Sequence, residues 1–271
     1  MQYILAIILS LFLMASPGTA DSVNSGLAVF EFGDAAKVFV AESQPVSQSD
    51  FVSMMEFAAL TGVDSLSFTY DFGIDKNDLS EIVKAAYQDF SRKAPEYSMY
   101  ISLSKFDFAR SGDKLCLTLY FNNRDGVNAE MLRMAMQDAR QVYADLYQTG
   151  KLKSGMTETQ RARIILQWVC EHMLYKDSGD MLAKTAYCGF ENGYGVCGAY
   201  TGMYNSLLKL DGITCYARYG RCNDTAHTWT VALLDGQLCN IDAVGCDAGS
   251  VMTDSYFAKS DAEMRVTHSW N

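Results

Sequence analysis

Positive charge is in short supply. Lys and Arg number 22 against 32 Asp and Glu in 271 residues, a net charge of −10. A phosphate backbone is gripped by clustered Lys and Arg, and the chain has no basic stripe; its densest basic stretch, residues 151–153, reads as a solvated helix end. Nucleic acid is therefore excluded as a partner. No apolar run reaches the ~20 residues that a bilayer-spanning helix needs. The one candidate, residues 3–15, is too short and is followed by Pro17 and the small residues Gly18, Thr19 and Ala20. No Lys or Arg precedes that run, which is off-pattern for a secretory signal. Its length and cleavage site nevertheless predict that residues 1–20 are a signal peptide. The expected mature chain starts near Asp21, is secreted or otherwise extracytoplasmic, and keeps no stable membrane span. No cysteine near the cleavage point suggests a lipid anchor. CxxC pairs, Cys/His ligand spacings and calcium-loop patterns are also missing, so no metal or other cofactor is implied. There is no internal repeat and no low-complexity tract.

Cysteine is what the chain has instead. Seven of its eight fall between Cys170 and Cys246. Outside the cytoplasm, cysteines usually pair. If one of them, Cys197, must stay a free thiol, the other seven cannot all pair with one another. Cys222 stands five residues before His227 and Cys246 four after Asp242. A bridge between those two is the pairing that would brace the rim of a site there.

Along the chain the pattern is α+β. Residues 36–46 and 65–70 read as strands, and residues 77–91 as an amphipathic helix with Leu79, Ile82, Val83, Ala86 and Phe90 at helical spacing. Residues 97–108 and 114–121 alternate across Gly112 as a hairpin. Asn128 caps a helix striped with Leu132, Ala135, Ala139, Val142 and Leu146 and stopped at Gly150. Thr157 and Gln160 form a capping box for the next. His172 on that helix reads as a partly buried structural histidine. Three regions follow: a signal peptide over residues 1–20, an α+β region of unassigned role over 21–150, and a second domain over 151–271.

The chemistry sits between Gly193 and Val244. Cys197 follows a Gly-rich turn and opens a helix striped with Val196, Tyr200, Met203, Leu207 and Leu210, ended by Gly212. Strands are expected over residues 213–219, 227–234 and 237–241, the last two joined by Asp235-Gly236, a strong hairpin signal. That hairpin brings His227 opposite Asp242, with His227, Trp229, Asn240 and Asp242 sharing a face. A carboxylate there can orient an imidazole, and a helix start with an imidazolium beside it favours thiolate over thiol. Taken singly, a helix-start cysteine, a strand histidine and a strand-end aspartate are each more commonly structural; their joint spacing points to a catalytic Cys197, His227 and Asp242. Tyr194, Gly198 and Trp229 are candidates for positioning a substrate, although core packing explains Trp229 equally well. Cys188, a rival thiol, lacks a helical stripe behind it and reads as structural. Residues 175–193 form a segment long enough to act as a lid.

The run TAYCGFENGYGVCGAYTGMYNSLLKLDGITCYARYGR, followed by AHTWTVALLDGQLCNIDAV, resembles the core of the transglutaminase-like superfamily. The resemblance lies in G-x-C at a helix start, a helix ending in Leu-Leu and Gly-Ile, then H-x-W and a hydrophobic-Asp pair on later strands. The tail YFAKSDAEMRVTHSW is similar to a segment of secreted bacterial members. The resemblance implies a papain-like core with the nucleophile helix packed on an antiparallel sheet, Cys197 as nucleophile, His227 as base and acid, and Asp242 as orienter. It implies thioester chemistry on protein or peptide amides, with the cell envelope one place to find them. Resolution by an amine would make a cross-linker, and resolution by water a protease or amidase. Secreted cell-wall peptidases usually orient their base with a second histidine, whereas the third member here is an aspartate. The competing expectation is a binding or structural module that keeps the fold without turnover.

Overall fold

Side chains mark where the helices begin. Ser47 with Asp50, Thr157 with Gln160, and Ser260 with Glu263 form capping boxes, while Asp75 and Asn128 accept from the amides of their first turns. The computed structural model describes residues 38–40, 45, 47–70 and 74–271. The signal segment lies outside these residues, as does most of the strand expected over residues 36–46. Among the described residues no helix is long and apolar enough to cross a membrane.

The fold is α+β, as its patterning predicts. One sheet has the order β1-β2-β4-β3, built from Val38–Val40 (β1), Ser65–Tyr70 (β2), Ile101–Ser111 (β3) and Lys114–Asn123 (β4). β1 runs parallel to β2 and the other pairs are antiparallel. Helices Gln48–Thr61 (α1), Lys76–Lys93 (α2) and Pro95–Ser98 (α3) accompany it. The strand expected from residue 97 starts later, because Pro95 opens the short turn α3 and Ile101 is the first paired residue. Gly112 takes the left-handed conformation that the hairpin turn requires.

Leu174–Tyr175 (β5) and Tyr194–Gly195 (β6) form a short parallel pair. The second four-stranded sheet has the order β10-β7-β8-β9: Cys215–Cys222 (β7), Thr225–Leu234 (β8), Gln237–Ile241 (β9) and His268–Ser269 (β10). All its pairs are antiparallel. Asp235 and Gly236 are both left-handed, as the tight turn between β8 and β9 demands. The same turn serves a helix, because the Asp235 carboxylate accepts the Glu158 and Thr159 amides that begin Glu158–His172 (α5). Ala129–Gln148 (α4) and Ala186–Asn192 (α6) complete the helical layer.

At the centre lies Cys197–Leu210 (α7). The sequence predicts one buried stripe, but ten of its residues are buried, among them Tyr200, Thr201, Met203, Tyr204, Leu207 and Leu208, while Leu210 is exposed. A helix enclosed on nearly every side is a core element rather than an amphipathic one. Its glycines permit the enclosure. A Cβ on Gly198 would stand 2.7 Å from the Lys184 carbonyl oxygen, and one on Gly202 3.3 Å from the Ala186 Cβ. Lys209 pairs with Glu96 of α3, so the first half of the chain buttresses this helix.

The C-terminal end of α7 carries a buried carboxylate, an unfavourable charge beside helix carbonyls. Asp211 is compensated by the Arg161 Nε at 2.6 Å and by the Tyr143 hydroxyl at 3.1 Å. Its side chain is 1 % exposed. Arg161→Ala strands that charge and should lower unfolding free energy by about 3 kcal/mol in urea titrations; a change under about 0.5 kcal/mol would show that the pair does not anchor the helix.

Candidate active site

Two buried hydrogen bonds set the relation between the cysteine helix and the histidine strand. The Thr201 hydroxyl donates to the Thr228 carbonyl at 3.3 Å, and the Thr230 hydroxyl donates to the Asn205 side-chain oxygen at 2.7 Å. Thr201 lies one helical turn beyond Cys197, and Thr228 follows His227. Together they bring the first residue of α7 to the His227 end of β8.

The β8–β9 register pairs Thr230 with Ile241 and Leu234 with Gln237. Asp242, just past β9, thus continues opposite Trp229, and His227 sits one diagonal step away rather than directly across as expected. The shared face is as the alternation predicts. Nε2 of His227 lies 3.0 Å from Oδ2 of Asp242. The N–H is not aimed along that line, so the contact is a charge pair more than an aligned hydrogen bond. Catalytic hydrogen bonds are commonly loose before substrate arrives.

Asp242 is 3 % exposed. Burial alone would raise its pKa, yet His227 and His268 together hold it down at about 2. For His227, burial lowers the pKa, and it is outweighed by Asp242 and by the Cys197 sulfur, which push it up to about 10. Cys197 itself is half-buried at the helix start. The amides of Cys197 and Gly198, in the first turn of α7, have no carbonyl ahead of them in the helix to bond.

His268 is the residue that sequence reading missed. It lies on β10, fully buried, with Nε2 3.3 Å from Asp242 Oδ2. A second histidine is thus present, but on the carboxylate rather than on the base. Only the strand order could have revealed it, because β7 separates β10 from β8 and no motif surrounds it. Gly220 of β7, paired with His227, makes the crossing possible: a Cβ there would meet the Ser269 carbonyl oxygen at 2.2 Å and the Trp229 ring at 2.9 Å. His227, Asp242 and His268 offer donor atoms within 4.8 Å of one another, a set able to hold a metal ion. Hydrogen bonding and charge pairing already account for the 3.0 and 3.3 Å separations, so no ion is needed to explain them.

The candidates for positioning a substrate are Trp229, Gly198 and Tyr194. Trp229 is fully buried, donates Nε1–H to Asn240 at 3.0 Å, and packs edge-on against His268. Gly198 lies against the Lys184 carbonyl, as the contact above shows, so its lack of a side chain serves packing within the chain. Tyr194 is half-buried with the Lys176 ammonium 4.7 Å from its ring centre. Tyr175, 53 % accessible, and Tyr219, 43 % accessible, are exposed aromatics of this rim, each electrostatically coupled to Cys197. The segment over 175–193 is tied down: Lys176 donates its amide to Gly195, and Ala183 accepts that of Val196. His172 is exposed and stacks on Trp168 at 4.2 Å, rather than being partly buried.

The expected Cys222–Cys246 bridge is absent, and all eight cysteines are free thiols. Cys222 sits in the sheet between Thr225 and His268, while Cys246 is buried in the core with α5 and α7, so nearness in sequence to His227 and Asp242 does not make the two thiols face. Burial pushes the Cys170, Cys215 and Cys246 thiols up to about 12 and also raises that of Cys188.

No family model and no curated protein matches the chain. Among solved structures it is similar to one described as a TGase, at 12 % identity and a TM-score of 0.39, covering 78 % of this chain and 60 % of that one. It is also similar to the periplasmic domain of TgpA from Pseudomonas aeruginosa bound to ethylmercury, at 14 % identity and a TM-score of 0.29, covering 54 % of this chain and 65 % of that one. The chain thus spans less than two thirds of the length of each. Likeness at this level leaves the function to the geometry of the site.

Two measurements test that geometry. In NMR pH titrations the His227 ring should stay protonated up to about pH 10. Asp242→Asn should bring its titration down by roughly 2 units or more, because burial is then opposed by Cys197 alone. A folded pKa above the ordinary 6.5 means that His227 protonation stabilises the fold fully below pH 6.5 and ceases to do so as pH rises through about 10. The Asp242 contribution has the opposite sense: present above pH 3.8, lost as pH falls through about 2. Gly220→Ala should detach β10, seen as rapid amide exchange at Ser269; unchanged protection there would refute the packing account.

Proposed function

We propose that this chain is an extracytoplasmic thiol enzyme that breaks amide bonds of proteins or peptides through a thioester on Cys197. The observation that supports it is a half-buried cysteine at a helix start, coupled to an imidazole that lies 3.0 Å from a buried carboxylate. Each member has a role in the reading. The His227 ring, protonated at neutral pH, already holds the proton of the thiol–imidazole pair as the sulfur attacks the amide carbonyl carbon. Charge then builds on the carbonyl oxygen, where the free amides at the start of α7 can donate to it. The C–N bond breaks, His227 returns the proton to the leaving amine, and the acyl group stays on sulfur. His227 next deprotonates the second nucleophile. Water releases an acid, which is hydrolysis; a primary amine forms a new amide, which is cross-linking. Asp242 keeps the imidazole oriented and steadies it while positive. The exposed Tyr175 and, on the neighbouring strand, Tyr194 are the aromatics that this reading sets against the acyl group.

The decisive experiment incubates the mature protein with a glutamine-containing protein and a fluorescent primary amine, following label incorporation, ammonia and released peptide together. Loss of all turnover in Cys197→Ala, and a drop of roughly 10²-fold or more in Asp242→Asn, are expected. Incorporation identifies cross-linking; peptide or ammonia release without it identifies hydrolysis. Equal behaviour of wild type and Cys197→Ala across several proteins would leave a binding module that keeps the fold.

A further inference from the structure

We propose that His268 is a positioning residue for the Asp242 carboxylate, a second imidazole donor on the same oxygen that faces His227; this rests on the catalytic reading of Cys197. The side chain is wholly buried, and its tautomer is fixed by its neighbours. An ionised carboxylate only accepts, so Nε2 of His268, 3.3 Å from Oδ2, carries the proton. In a neutral ring Nδ1 is then the acceptor, and it faces the Thr267 hydroxyl at 2.9 Å. Thr267, His268 and Asp242 therefore form a directed chain of donors ending on the carboxylate. The ring itself is held edge-on by Trp229 at 4.8 Å and Tyr256 at 5.3 Å.

Asp242 needs such a partner. Its Oδ1 accepts the Val244 amide at 3.1 Å, while Oδ2 meets both imidazoles. Two anchors at different oxygens fix the plane of the carboxylate before His227 is considered. That leaves the charge of Oδ2 aimed at a base whose own N–H is poorly aligned in the resting state. With the His268 donor removed, Asp242 would be held only by the amides of the turn that follows it, Val244 and Gly245, and by the partner it is meant to orient. Other titratable groups close to Asp242 include Tyr175, Cys222, Cys246 and Tyr256. None of them supplies a positive charge or replaces the His268 donor.

The test uses the mature chain and iodoacetamide, which reads the Cys197–His227 couple without a known substrate. Labelling of Cys197 is followed by peptide mapping from pH 3 to 9 in wild type, His227→Ala, His268→Phe, His268→Gln and Thr267→Val, alongside melting temperatures. Phe fills the ring space without a donor, and Gln restores an N–H near the position of Nε2. His268→Phe should label about tenfold more slowly at neutral pH and move the acid limb up by roughly one unit, because the carboxylate loses a stabilising donor. His268→Gln should recover most of the rate, and Thr267→Val, which frees the tautomer, should fall between. A folded His268→Phe with the wild-type rate and acid limb would overturn the proposal, as would a His268→Gln as slow as His268→Phe, which would assign the effect to packing. If His268→Phe does not fold, Thr267→Val decides: wild-type behaviour there overturns the proposal, and slowed labelling with a raised acid limb supports it. Wild-type labelling in His227→Ala would instead sink the catalytic reading, and this proposal with it.

Discussion

A carboxylate almost wholly removed from water is the constraint around which the second half of the chain is arranged. Asp242 can remain ionised in the apolar interior only if its charge is met, since burial of an unpaired ion costs several kcal/mol. Two imidazoles and the backbone amides of the turn after it meet it, and they come from three different segments. β9 delivers the acid, β8 the first histidine and β10 the second, so the sheet has to form in full for the charge to be tolerated. Trp229 and Gly220 then appear as parts of one solution: a large ring that walls both histidines, and a missing side chain that lets β10 close over it.

The thiol enters this arrangement from the other layer. α7 is enclosed on most of its surface, so its position is determined by packing, and Thr201 and Asn205 set its register against β8 with side-chain hydrogen bonds. Buried polar pairs of this kind specify one arrangement because any slip leaves their donors unpaired. At the far end of the same helix, Arg161 and two tyrosines hold Asp211, and Lys209 reaches Glu96 in the first half of the chain. Residues that never approach the sulfur thereby decide where it stands. The Asp235 turn adds a link of the same kind, closing the β8–β9 hairpin while capping α5.

What could be read from the sequence was local. Capping boxes at Thr157, the Asp235-Gly236 turn and the alternation that puts His227 and Asp242 on one face depend on residues close together in the chain, and the structure has them. What could not be read depended on strand order and enclosure. His268 becomes a neighbour of Asp242 only because β10 adds to the outside of β7, a pairing that no periodicity announces. Trp229 and Gly198 looked like candidates for substrate contact because a sequence does not show which side of an aromatic or a glycine is covered. The covering groups, Asn240 and Lys184, come from other segments. The Cys222–Cys246 pairing failed for the same reason, since closeness to two site residues in sequence says nothing about which way a thiol faces.

The place of β10 in the sheet has a bearing on biosynthesis. Cys197, His227 and Asp242 leave the ribosome before His268, so a nascent chain that has made three of them still holds a carboxylate with one donor missing. The thiol would remain poorly supported over that interval and gain its full environment only when β10 docks across Gly220. On the proposed reading, such an order would delay amide-cleaving chemistry until the strand that completes the sheet has arrived.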